Sequence, residues 1–352
     1  MPPTTRPAAA LAATAVLAPL LLPFLAAGSA AADDAEPGAF TITDPRIVES
    51  SGLQASHTHP GIYWTHNDSE DAANVYAVDS ATGETVATVA LAGVEARDVE
   101  AISLGPDGDL WAADIGDNFD GGWSEVWLYR FPEPAELADT TVTPTVYTLT
   151  YADGPRDAEA LMVHPVTGRV YIASKKQDGG AALYAGPAEL ATSGVNTFEP
   201  VADLDLWVTD GAFSPDGTRL LLRGYFGAVM YRWPETGVPE AIDQRVVPPL
   251  QPQGESVTFT PDGRTLMFGS EGEASAVEPV GLSGDLLPET VREEAAEGGD
   301  GGTGAREDGG GGGNGDGDGD GGELSLSTRA VVVAGAAVLA VVVLRRLVTR
   351  RR

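Results

Sequence analysis

The sequence predicts an all-β chain: a five-bladed β-propeller, with six blades as the alternative, closed by an N-terminal strand and followed by a single C-terminal transmembrane helix. Three observations carry this. A phrase built of a small acidic opening, an apolar alternation, a Pro/Asp/Gly turn and a second strand occurs five times. Two further strand candidates follow each of its first four occurrences. The ends are mismatched: the last repeat lacks a fourth strand, and a spare strand precedes the first.

Residues 1–32 read as a signal peptide. Arg6 precedes the apolar stretch 8–27, and Ala30-Ala31-Ala32 offers a small-residue cleavage site. The ectodomain then spans 33–288, and AFTITDP (39–45) is its spare strand. The five phrases are ESSGLQASHTHPGIYWTH from Glu49, DVEAISLGPDGDLWAAD from Asp98, DAEALMVHPVTGRVYIAS from Asp157, DGAFSPDGTRLLLRG from Asp210 and GESVTFTPDGRTLMFGS from Gly254. Their PDG and PVTG turns place Gly where a hairpin needs positive φ. The third and fourth strands are NVYAVD and ETVATVAL, EVWLYRF and VTPTVYTLTY, AALYAG and TFEPVAD, then AVMYRWP and EAIDQRVV. After ASAVEPVGL the chain runs into a Gly/Asp-rich linker at 289–329, too polar to bury a core and expected to be a flexible tether. NGDGDGDGG (314–322) imitates the start of a calcium loop, but Ser327 stands where the closing Glu is required. The run 330–348 reads as the membrane span, and the basic tail 349–352 lies on the cytoplasmic side by the positive-inside rule. The expected protein is held in the cell membrane by one span, with its propeller outside.

Residues 33–288 hold 41 acids and 12 bases, a net of −29. Such a surface excludes nucleic acid as a partner and points to an extracellular ligand or protein. The chain has no cysteine, which excludes disulfides and a thiol nucleophile.

First strands of propeller blades line the channel and start at one end, so the acidic openings Glu49, Asp98, Glu100, Asp157, Glu159, Asp210 and Glu255 are expected at one mouth. Residues i and i+2 of a strand point the same way, which pairs Asp98 with Glu100 and Asp157 with Glu159. Second strands return to this mouth with His66-Asn67-Asp68, ADIGDN (113–118), Ser174-Lys175, Arg223 and Ser270-Glu271. Two carboxylates about 4 Å apart repel by roughly 4 kcal/mol at an effective dielectric near 20, so the cluster needs relief from protonation, a cation or a basic side chain, and Lys175 and Arg223 offset only part. Oxygen-only ligands fit a hard ion, calcium. The candidate metal ligands are Glu100, Glu159, Asp114, Asp117, Glu49, Asp68 and Glu255, with Gly116 permitting a tight turn and Asn118 as a further outer ligand. His66 is the candidate general base. His57, His59 and His164 fall near the opposite turns.

The segments ESSGL (49–53), THND (65–68), VYAVD followed by TGE (75–84), and DVEAI (98–102) resemble the bacterial SdiA-regulated family, which is similar to NHL-repeat propellers. The resemblance covers most of 45–275 and is strongest in the first two blades. It implies a five-bladed propeller with a bound calcium ion and no established enzymatic activity. The GES and DGA phrases depart from the family's D-x-E pattern. The SPDG and TPDG turns look like WD40-like repeats, and the D-x-E phrases also look like those of phytase-like esterase propellers. Two functions therefore compete: a calcium-bearing propeller that binds a ligand or partner, and a metal-dependent hydrolase of an ester, lactone or phosphate acting at the acidic mouth.

Overall fold

The computed structural model describes residues 37–68, 72–118, 121–176 and 180–299. The expected signal peptide, membrane span and basic tail, and the expected linker beyond 299, lie outside these residues. Among the described residues no helix is long and apolar enough to cross a membrane.

Strand β1 (Phe40–Thr41) comes first. An antiparallel group follows, β2 (Ser50–Ala55), β3 (Ile62–Asn67), β4 (Asn74–Asp79) and β5 (Thr85–Leu91). The next group is β6 (Val99–Leu104), β7 (Asp109–Asp114) and β8 (Val126–Pro132). From there a short β9 (Thr140–Val142) runs parallel beside β5, and β10 (Thr145–Tyr151) returns to pair with β8. Strands β11 (Ala158–Val163), β12 (Val170–Ser174), β13 (Ala181–Ala185) and β14 (Val195–Leu204) form a third group, and β14 also pairs in parallel with β10. Strands β15 (Val208–Phe213), β16 (Arg219–Gly224), β17 (Gly227–Arg232) and β18 (Glu240–Ala241) form a fourth. The last group is β19 (Gly254–Phe259), β20 (Thr265–Ser270) and β21 (Ala276–Gly281). Its fourth strand is β1, with Phe40 opposite Val277 and Thr41 opposite Ala276. The expected N-terminal closure is present.

The first strands β2, β6, β11, β15 and β19 neighbour one another in that order, and β19 returns to β2. This is propeller architecture, and burial follows it. β6, β11 and β19 are buried at every position, whereas β5 and β10, farther out, alternate. Core side chains fill the gaps between groups: Trp64, Val75 and Val89 pack with Ile102, Leu110 and Phe131. Small polar side chains bridge adjacent first strands. The Val163 amide donates to Ser103 Oγ at 3.1 Å, and the Ala55 amide to Thr258 Oγ1 at 3.3 Å. The hairpin glycines Gly108, Gly168, Gly217 and Gly263 all have φ between 69° and 80°.

Two segments depart from the sequence reading. EAIDQRVV was expected to be a full strand, but only Glu240–Ala241 pairs, with one further bridge from Val246 to Ala228. Pro239 and Pro248-Pro249 lack the N–H groups that a ladder needs. The expected linker begins as an ordered helix, α1 (Glu289–Gly299). Glu289 pairs with the buried Arg219 at 2.9 Å, the Thr290 amide and hydroxyl donate to Asp216 Oδ2, and Val291 is buried.

Candidate functional site

Each first strand carries a register shift at the same place. One extra residue is inserted at Glu100 in β6, at Glu159 in β11, at Thr209 in β15 and at Glu255 in β19, and β2 shifts across Ser51-Gly52. A β-bulge re-aims the extra side chain and bends the strand. The bulges set five equivalent positions in a ring, Ser51, Glu100, Glu159, Thr209 and Glu255, and the expected nearness of Asp98 to Glu100 is kept across the bulge, both carboxylates lying beside Gly116. Asp210, expected in this series, lies one residue past it. Its two oxygens accept the Gly211 and Val257 amides, each at 2.7 Å.

The neutral members of the ring donate. Ser51 Oγ reaches Glu100 Oε2 and the Glu100 carbonyl at 3.2 Å, and Thr209 Oγ1 reaches the Gly254 carbonyl at 3.1 Å. The three glutamates share unequal relief. The Lys175 ammonium, from the end of β12, binds Glu159. Burial works against that ammonium, but Glu159, Tyr225, Glu255 and Glu100 outweigh it and its pKa is raised well above the usual lysine value. Glu255 lies beside Tyr225 and Arg223. The Arg223 guanidinium is buried and donates to the Ser256 and Gly269 carbonyls and to Gln251 Oε1. Burial draws its pKa down to about 10. Gly254 makes room for it, since a Cβ there would lie 2.0 Å from Arg223 Nη2. Glu255 Oε2 is buried with no hydrogen-bond partner.

Glu100 is the least neutralised. Burial, then Glu159, Asp98 and Asp68, push its carboxyl well above the usual range, and Lys175 opposes them only weakly. Burial also raises Glu159, although Lys175 pulls against it, and it raises Asp210. Gly116 turns out to matter for space, its φ not being among the positive ones. A Cβ there would sit 2.5 Å from Glu100 Oε1 and 2.6 Å from Asp98 Oδ2, so any side chain would displace these converging carboxylates.

The remaining sequence candidates have other partners. Asp114 accepts the Arg97 and Asp98 amides at 3.0 Å and the Tyr129 hydroxyl at 2.8 Å, which makes it a clamp on the turn into β6. Asp117 Oδ2 accepts the Trp123 amide at 2.7 Å, and its own amide donates to Asp157. Asn118 Nδ2 donates to Asp98 at 2.9 Å. Glu49 is half-buried at the lip, and its carbonyl accepts the Asp68 amide. His66 is 1% exposed. Its Nδ1 meets the Asn67 carbonyl at 3.0 Å, its Nε2 faces Gly52 without a partner, and burial lowers its pKa. A base role would need a substrate to pass Gly52. Among the described residues no three His, Cys, Asp or Glu side chains surround a common point as a metal shell.

Every buried acid among the described residues, namely Asp68, Asp98, Glu100, Asp114, Asp117, Glu159, Asp210 and Glu255, belongs to this end of the channel. The other end holds none of the buried acids; a cavity of about 30 Å³ there is lined by Leu53, Ile102, Val163 and Phe259 together with Gln54, His57, Ser103 and Thr258. The sequence reading missed an aromatic rim around the acids. Arg97 is stacked between Trp123 and Trp127, 4.2 and 3.8 Å from the ring centroids, and Trp207 meets Tyr225 edge-on at 4.8 Å. Trp123 and Trp127 shortly after ADIGDN, and Trp207 and Tyr225 on either side of Asp210 and Arg223 in the chain, were the available signal.

No family model matches the chain, and no curated protein matches it. The solved structures similar to it include hydrazine synthase of Kuenenia stuttgartiensis, at 14% identity over 67% of this chain and 72% of that one, TM-score 0.40. A gluconolactonase of Xanthomonas campestris is similar at 14% identity over 64% of this chain and 69% of that one, TM-score 0.41. Likeness of this depth carries no argument, and the propeller assignment rests on the chain's own strand order.

Proposed function

We propose that this chain is a five-bladed propeller, related to the SdiA-regulated family, that binds a ligand or partner at its acidic mouth and is displayed outside the membrane by the 330–348 span. A calcium ion on the Glu100 side of the ring belongs to this reading. One observation carries it: the buried acids among the described residues are all at one end, and Glu100 lies there in the field of Glu159, Asp98 and Asp68 with only weak opposition from Lys175. Lys175 and Arg223 serve Glu159 and Glu255 instead. The oxygens of Glu100 and Asp98 that converge over Gly116 fit a hard cation, with water completing the shell. Asp114 and Asp117, committed to protein donors, support that pair from behind.

The hydrolase alternative would use a mouth carboxylate or His66 as base, and it has less support on the His66 side, where the imidazole is buried behind Gly52. Binding is therefore the reading preferred.

Calcium that binds only the folded state adds RT ln(1 + [L]/Kd), about 2.7 kcal/mol at a concentration 100-fold above Kd. For a chain of this size that is a rise in melting temperature of roughly 5–10 °C. Thermal melts in chelator and in millimolar calcium check this. Glu100→Gln should remove most of the rise, and Glu189→Gln, an exposed acid elsewhere, should keep it. Identical melts in chelator and calcium would rule the ion out.

A further inference from the structure

The three most exposed large apolar side chains among the described residues belong to the two segments that lead into β17 and β19 at the acidic end. Leu250 is 99% exposed, Phe226 75% and Val247 72%. Phe226 and Val247 line a groove of about 410 Å³ with Leu206, Val229, Met230 and Val246. The groove exists because the fourth strand of its group stops after two residues and leaves the outer flank of β17 thinly covered. It joins the mouth directly. Phe226 follows Tyr225, whose ring lies 5.8 Å from the Lys175 ammonium. Leu250 is held in place as well: the next residue, Gln251, accepts from Arg223 and donates to the Phe268 and Ala276 carbonyls. The half-buried, triply bonded glutamine fixes the backbone beside this exposed leucine, so docking on it loses little backbone entropy.

We propose that this groove and the mouth together form one docking surface for a partner polypeptide segment in which basic side chains alternate with apolar ones. The proposal rests on reading the acidic end as a binding mouth, and charge complementarity selects the occupant. Eight buried acids lie at that end of a chain of net charge −31. Lys175 shows which side chain the ring accommodates: an ammonium beside Glu159 and within the field of Glu255 and Glu100. The apolar residues of the segment would cover Phe226, Val247 and Leu250. Its basic residues would face the surplus carboxylates and would hasten encounter at low salt.

The test uses the full-length protein and three fluorescent synthetic peptides of equal length: alternating Lys/Leu, alternating Lys/Ser, and a Leu/Ser peptide without charge. At about 150 mM salt, anisotropy should show the Lys/Leu peptide binding roughly tenfold more tightly than Lys/Ser, the worth of about one further buried apolar side chain. Leu/Ser should bind more weakly than Lys/Leu. The double variant Phe226→Ser, Leu250→Ser, both exposed positions, should lose that tenfold preference while its Lys/Ser affinity stays as in the parent. Val166→Ser, 67% exposed at an opposite-end turn, should change nothing. Equal binding of Lys/Leu and Lys/Ser, or a preference that survives the double variant, overturns the proposal. Calcium titration of the same proteins separates the two readings. Calcium binding without peptide preference removes the docking surface alone, whereas loss of both removes the binding mouth beneath it.

Discussion

Lys175→Met is expected to destabilise the protein by about 3–5 kcal/mol, a fall in melting temperature on the order of 10 °C. The lysine is the direct ion-pair partner of Glu159, and it lies in the field of Glu255 and Glu100 as well. Methionine keeps the volume and removes the charge, so the loss reports electrostatics more than packing. Glu159 then remains buried with no cation beside it, and removing one partner of a buried pair is the severe case. Glu159→Gln should recover a large part of the loss when combined with Lys175→Met, because the stranded charge goes with it. Chemical denaturation of both single variants and the double variant completes the cycle. A loss below about 1 kcal/mol for Lys175→Met, or no recovery in the double variant, would show that Lys175 is a rim residue and not the counter-ion of the ring.

Glu100→Gln is expected to act with opposite signs in two conditions. Without metal at pH 7, glutamine keeps the shape and still accepts from Ser51, while the cost of a carboxyl beside Glu159, Asp98 and Asp68, whether as repulsion or as uptake of a proton, is gone. A gain on the order of 2 kcal/mol follows, about half of what two full charges about 4 Å apart feel at an effective dielectric near 20. In millimolar calcium the same change removes a ligand and should make the variant less stable than the parent. Paired melts with and without calcium check it. The same sign in both conditions would mean that Glu100 does not touch an ion.

Much of this molecule is legible in the sequence because hairpins repeat. Alternating apolar runs and PDG turns fix strand positions within each group, and the unmatched AFTITDP and ASAVEPVGL segments foretell the pairing of β1 with β21. Convergence of the acids follows from strand direction alone. What each acid does is less legible, because that depends on bulges and on side chains from neighbouring groups. VEA, AEA, VTD and GES share a bulge that puts Glu100, Glu159, Thr209 and Glu255 in register, but a regular strand was the simpler expectation and it selected Asp210. Asp114 looked like an open ligand from its place at a strand end, and only the fold shows the Arg97 and Asp98 amides and the Tyr129 hydroxyl on it. Helix α1 was obscured by the acidic run around it, its order depending on Arg219 and Asp216 far back in the chain.

The central claim is that the mouth holds buried carboxylates in want of a cation, and the pH dependence of one stability difference tests it most directly. Burial raises the folded-state pKa of Glu100 well above its unfolded value, so the folded protein holds the extra proton. Stability from this group is present at low pH and is lost as pH rises towards the raised pKa. His57, His66 and His164 have pKa values lowered by burial and contribute the opposite slope below about pH 6.5. Subtracting the parent from Glu100→Gln cancels them. The quantity to measure is therefore the stability of Glu100→Gln minus that of the parent, from about pH 5.5 to 7.5, without metal and in millimolar calcium. The account predicts that this difference grows with pH in the metal-free protein and turns negative in calcium. A difference that stays flat with pH and keeps its sign in calcium would contradict it.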